Sequence, residues 1–142
     1  MGYKVIKYNK IMISFMTLVF TGIVLEVLYF VVSFIRTNDI EGALFFCIPL
    51  LGTIAGLIYY TRKFFIPAIK NNPAIELDDE SIQYNIKNWA LNWNEIESID
   101  STLYGIKFIL KDGNKVYISL QYVSGNYDSI RDTINEYFEN AH

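Results

Sequence analysis

The sequence predicts an α+β protein: an N-terminal transmembrane helical hairpin, then a small antiparallel β-barrel or sandwich with a C-terminal helix. Three observations predict it. Two long apolar runs stand within the first 60 residues, short segments alternate apolar and polar residues between Ala74 and Leu120, and the spacing becomes helical from Tyr127 onward. The composition agrees, because 52% apolar residues and a mean hydropathy of +0.23 exceed what a soluble domain of 142 residues carries.

The first run, Ile11 to Ile35, is 25 residues long and contains one charge, Glu26. At about 1.5 Å per residue it spans a hydrocarbon layer about 30 Å thick with some tilt. It is longer than a signal-peptide core, and no small-x-small cleavage site follows, so a retained helix is expected. The second run, Ala43 to Tyr60, is 18 residues long and is followed by Arg62 and Lys63. Lys4, Lys7 and Lys10 precede the first helix, and Arg62, Lys63 and Lys70 follow the second. The Arg36–Gly42 turn holds Asp39 and Glu41, with Arg36 the one cation on that side. The positive-inside rule then puts both termini in the cytoplasm. The predicted division is a hairpin over residues 1–70 and a soluble domain over 71–142.

Glu26 lies about 4.5 Å past the midpoint of its run, where a carboxylate is costly unless protonated or partnered. A turn centred between Asp39 and Ile40 sets position 26 opposite Thr53, inside Gly52-Thr-Ile-Ala-Gly56, a pattern that permits close helix approach. The expected seam is therefore Glu26, Thr53, Gly52 and Gly56. Its bland reading is structural glue; its sharper reading is contact with another membrane protein or an ion. Gly22, Glu26, Tyr29 and Ser33 also form one small or polar stripe along the first helix.

The second half is expected to hold about six strands. Ala74–Leu77 enters, Asp78-Asp79-Glu80 turns, and Ile82, Tyr84 and Ile86 alternate. Trp89, Leu91 and Trp93 continue on one strand face, and Ile96 and Ile99 follow. Ile106, Phe108 and Leu110 lead into the Lys111–Asn114 hairpin turn and return through Val116, Ile118 and Leu120. Ile130, Ile134, Tyr137 and Phe138 give the last helix its apolar face. This order is that of a pleckstrin-homology-like (PH-like) domain. Two membrane helices, NPAIELDDESIQYN, the segment Trp93-Asn94-Glu95-Ile96, a lysine-ended strand and a closing helix resemble bacterial two-helix membrane proteins with a PH-like cytoplasmic domain. The resemblance covers nearly the whole chain. It implies architecture at the bacterial inner membrane rather than an activity.

Composition narrows function. Residues 1–70 carry about +4 and residues 71–142 carry −7, so the expected domain is acidic and unsuited to nucleic acid. A lone Cys47 and a lone His142 supply no metal centre, no phosphate-cradling loop is present, and no cofactor is expected. Taken as the first strand–strand loop, Asp78-Asp79-Glu80 would repel phosphate, so no phosphoinositide site is expected there. No nucleophile–base pair points to an enzyme. The remaining classes are a membrane-anchored protein-interaction module, an immunity protein neutralising a secreted bacterial toxin at the membrane and, last, an unrecognised enzyme. For the first, the expected partner surface is Asp78, Asp79, Glu80, Glu95, Glu97 and Asp100 with Trp89, facing a basic protein. Charge reversal across 78–80 is expected to weaken capture without unfolding the domain.

Overall fold

The computed structural model describes residues 2–142 and divides into two compact units. One is Ile11–Ile66, and the other combines the segment up to Lys10 with Pro67–His142. The division therefore differs from 1–70 and 71–142. The N-terminal lysines belong to the β domain, because Lys4–Lys7 is a strand, β1. Ile6 and Tyr8 turn inward and are buried, Lys7 between them is exposed, and Lys4 donates to Thr133 Oγ1 at 3.1 Å, a pattern that three lysines disguise as a basic leader. These lysines and Lys70 bring the folded domain from −7 to −3 and leave the hairpin neutral.

The hairpin unit is built on α1 (Lys10–Arg36) and α2 (Ile40–Tyr60), both long and apolar enough to cross a membrane. The turn is tighter than the expected Arg36–Gly42 loop. Asn38 takes φ 66° after α1, with Asn38 N donating to Ile35 O at 3.2 Å and Asp39 N to Phe34 O at 2.9 Å. This pair of bonds is a Schellman closure, and asparagine tolerates its left-handed position. Asp39 then caps α2 by accepting from Gly42 N at 2.9 Å, so Glu41 falls in the first turn of a helix. A π-helical turn, Thr61–Phe65, carries α2 into the short α3 (Ile66–Ile69).

The inner face of α1 runs through Ile13, Phe20, Val24, Val27, Val31 and Phe34. Its counterpart on α2 runs through Ala43, Phe46, Leu50, Thr53, Leu57 and Tyr60. Both follow the alternating three- and four-residue steps of left-handed helix pairs. Phe46 stacks on Phe30 and Phe34 at 5.6 and 5.4 Å, and Phe20 meets Tyr60 at 5.2 Å.

The domain holds two antiparallel sheets. The first is β1, β2 (Pro73–Leu77), β3 (Ser81–Tyr84) and β4 (Trp89–Asn92), in that order. The second is β5 (Ile96–Thr102), β6 (Gly105–Leu110) and β7 (Lys115–Ser119). The ladders are separate, joined by a bridge between Tyr8 and Val123 and by Tyr84 Oη donating to Ser119 O at 3.1 Å. Ile75, Leu77, Ile82, Ile106, Phe108 and Ile118 are fully buried between them. The last helix, α4 (Tyr127–Asn140), adds Ile130, Ile134 and Tyr137 to this core, while Phe138 is only half-buried. Gly113 supplies φ 83° in the β6–β7 turn.

The hairpin is thus inserted between two strands that pair directly: Lys4 opposite Leu77, Val5 opposite Glu76 and Ile6 opposite Ile75. Ile6→Ala should accordingly lower the stability of the β domain by about 2–4 kcal/mol. Denaturation of the full-length protein followed by tryptophan emission checks this. A β1 that acted only as a basic leader would give no shift.

Candidate functional site

The two strands that flank the hairpin define two ends of the domain. At one end β1 finishes at Lys7 and β2 begins at Pro73; Tyr8, Pro67, Asn72, Pro73, Glu76, Asn85 and Asn88 line one cleft of about 340 Å³ there. At the other end β2 finishes at Leu77 and turns through Asp78-Asp79-Glu80. Five strand residues separate the ends by about 16 Å. The acidic turn therefore lies at the end of the first sheet away from the points where the chain leaves for the hairpin.

Asp78 organises this turn rather than offering a spare charge. Its Oδ1 accepts from Glu80 N at 2.9 Å, Ser81 N at 2.6 Å and Ser81 Oγ at 3.1 Å. Partial burial pushes its carboxyl up, but these donors outweigh that and hold it below the usual carboxylate range. Buried Trp93 pins the turn from beneath: its Nε1 donates to Asp78 O at 2.8 Å and its backbone N to Glu80 O at 3.0 Å. Trp93 does not share a strand face with Trp89. It begins a 3₁₀ turn, Trp93–Glu95, and is 1% exposed. Trp89 stays half-buried on β4, tilted against Tyr84 at 5.4 Å and edge-on to Phe108 at 6.4 Å.

The remaining acids divide in the same way. Glu95 completes a capping box, accepting from Asn92 N at 3.2 Å. Its backbone O accepts from Lys111 N at 3.0 Å, which draws the β6–β7 turn to the acidic end. A cleft of about 560 Å³ opens there, lined by Asn92, Asn94, Glu95, Leu110, Lys111 and Asp112. Asp100 lies across the β5–β6 ladder from Lys107 and pairs with it at 2.7 Å. Asp79, Glu80 and Glu97 are exposed. The structure thus brings Asp78, Asp79, Glu80 and Glu95 to one end, and gives Asp78, Glu95 and Asp100 structural work.

Two expectations change. Lysine at Asp78 would remove the acceptor of three bonds, so reversal across 78–80 cannot leave the turn intact. With β1 counted, the Asp78-Asp79-Glu80 turn is the second connection between strands and the helical hairpin is the first. The acids of that turn therefore do not bear on phosphate binding at the first connection.

The expected membrane seam does not form. Helix register is close to that expected, since Phe30–Phe46 and Phe20–Tyr60 bracket an approach of 26 to 53, but α1 is rotated. Glu26 is exposed on the outside of the hairpin, and Thr53 Oγ1 donates to Leu50 O of its own helix at 3.0 Å. Gly52 is exposed, and an added Cβ at Gly52 or Gly56 would meet nothing within 4 Å. Aromatic and branched apolar side chains, with Ala43 near the turn, fill the contact in place of the glycines.

Sequence reasoning passed over the β5–β6 turn. Leu103 and Tyr104 are 74% and 60% exposed at its tip. Arg131 of α4 holds it, donating to Thr102 O and, at 3.0 Å, to Leu103 O. Gly105 is required behind it, because a Cβ there would lie 2.1 Å from Ile118 O. The available signal was an apolar Leu-Tyr pair where a hairpin turn is ordinarily polar.

No family model, curated protein or solved structure matches the chain. Among the described residues no three histidine, cysteine or acidic side chains gather at metal-binding distance.

Asp78→Asn, which keeps an acceptor oxygen, should leave stability nearly unchanged near neutrality, whereas Asp78→Ala should cost about 1–3 kcal/mol. Because folding depresses the Asp78 carboxyl, its contribution is complete above its ordinary value of 3.8 and is lost as pH falls below it. Denaturation midpoints measured across the acid range should therefore fall more steeply for wild type than for Asp78→Asn.

Proposed function

We propose that this chain is a non-enzymatic, membrane-anchored interaction module: a PH-like domain held at the cytoplasmic face of a bacterial inner membrane, with its acidic end offered to a basic protein. The observation that carries the reading is the β1–β2 ladder. Strands on either side of the hairpin pair residue by residue, so two spans must return the chain to the side from which it left. Lys4, Lys7, Lys10, Arg62, Lys63 and Lys70 flank the spans on that side, and Asp39 and Glu41 stand in the connection. That distribution favours a cytoplasmic domain. Two antiparallel sheets followed by a packed C-terminal helix support the PH-like comparison.

An interaction role fits the distribution of chemistry better than catalysis. The exposed acids stand on short turns fixed by Asp78, Trp93 and the Asn92–Glu95 cap or, for Glu97, at the start of β5, so their geometry is set before a partner arrives. With a folded charge of −3, attraction to a basic partner is local to this end rather than a property of the whole domain.

Topology is tested by cysteine labelling in intact cells, in a Cys47→Ser background. Asn38→Cys should react with an impermeant thiol reagent and Ser124→Cys should not; the reverse pattern would place the domain outside. The acidic surface is tested by crosslinking and capture from the native host. Glu80→Lys with Glu97→Lys should weaken capture several-fold and reduce its salt dependence while leaving thermal stability within about 0.5 kcal/mol. Capture that ignores both salt and these changes would shift the contact to the half-buried Trp89 face.

A further inference from the structure

The outside of α1 carries a second organised surface. At about 100° per residue, Phe15, Gly22, Glu26, Tyr29 and Ser33 fall within one narrow stripe. The contact face of Phe20, Val24, Val27 and Val31 lies about 100° or more away from it, and Phe30, which stacks on Phe46, stands between the two. Glu26 is exposed on this stripe, Tyr29 is 69% exposed and Phe15 63%. An added Cβ at Gly22 would meet nothing within 4 Å, so the stripe has a flat, open floor at that point.

This inference rests on the hairpin spanning a bilayer. In that setting an exposed carboxyl within about one helical turn of the midplane faces hydrocarbon, where a polar group without a partner is strongly disfavoured. We propose that the stripe is the interface of a parallel homodimer, in which the Glu26 carboxyl of each copy accepts a hydrogen bond from the Tyr29 hydroxyl of the other.

The occupant is argued from self-complementarity. Two copies inserted with their positive flanks on the same side lie parallel, and a two-fold axis along the membrane normal brings each stripe onto its own image. The stripe then has to contain both halves of its own polar contact. It does: an acceptor at Glu26 and a donor at Tyr29, three residues apart and so about 4.5 Å along the axis, within the reach of a tyrosine ring. Gly22 lets the helices approach closely enough for the pair to form. A basic partner helix would satisfy Glu26 but would leave the Tyr29 donor and the flat Gly22 surface without a role.

The test uses the full-length protein in native membranes with Cys47→Ser. Phe15→Cys, on the stripe, should form an inter-copy disulfide on mild oxidation, whereas Ile48→Cys, exposed on α2, should not. Tyr29→Phe removes both reciprocal bonds without changing shape and should reduce the crosslinked fraction roughly five- to tenfold at limiting expression. Glu26→Gln keeps an acceptor and should retain crosslinking; Glu26→Leu should lose it. Equal crosslinking from Phe15→Cys and Ile48→Cys, or none from either, overturns the dimer, as does indifference to Tyr29→Phe. Loss with Glu26→Gln while Tyr29→Phe is silent points instead to an ion pair with a basic helix and also overturns it. Alkaline extraction of the same membranes separates the two levels. Release of the protein there would mean that the spanning reading itself had failed, and the dimer with it; retention without crosslinking would reject the dimer alone.

Discussion

Everything in this molecule is organised around the pairing of β1 with β2. A strand of four residues supplies one edge of the first sheet, and its partner arrives only after two long helices have been traversed. Closing so long a loop is entropically tolerable because loop cost rises only logarithmically with length, and because the insert is itself structured. The Schellman closure at Asn38 and the Asp39 cap turn α1 sharply into α2, and the aromatic contacts at Phe46 and Tyr60 hold the helices antiparallel. The ends of the insert return together, which is what a strand pair at its base requires.

That arrangement also determines where charge can act. Lys7 and Lys70 lie in the part of the domain from which the hairpin departs, while Asp78, Asp79 and Glu80 lie at the other end of β2, level with Lys4 across the ladder. Three of the acids are committed to structure. Asp78 satisfies two backbone amides and a hydroxyl, Glu95 caps a 3₁₀ turn, and Asp100 sits opposite Lys107 in the ladder. Acids of identical charge in the sequence thus divide into those bound to a turn or a ladder partner and exposed groups such as Glu80 and Glu97. The division follows from which backbone amides each can reach.

In the hairpin the same logic separates contact from exposure. Helix pairs are held by side-chain packing and by polar contacts between the helices. Here the packing is supplied by phenylalanine and branched residues, which leaves Gly22, Gly52 and Glu26 directed away from the partner helix. Small and polar residues on an outer face mean that the hairpin's own contact did not use them.

Local rules made much of this legible. Apolar length determined the two helices to within a few residues, because a run of that length leaves few alternatives. Period-two alternation located the entry, second and hairpin strands, and Lys111–Asn114 announced its turn through Asp112 and Gly113. What failed to show depends on distant partners. The strand at Lys4–Lys7 has too few residues for its alternation to outweigh three lysines, and its identity comes from Leu77, Glu76 and Ile75 across the ladder. Trp93 turned inward as a 3₁₀ anchor because the Asp78 carbonyl was there to accept from its indole. The register of the hairpin could be read from its turn, since chain length alone sets which residues are level. The rotation of α1 about its own axis could not, because it depends on which side chains pack best against α2, and there Phe20, Phe30 and Phe34 outweighed Glu26.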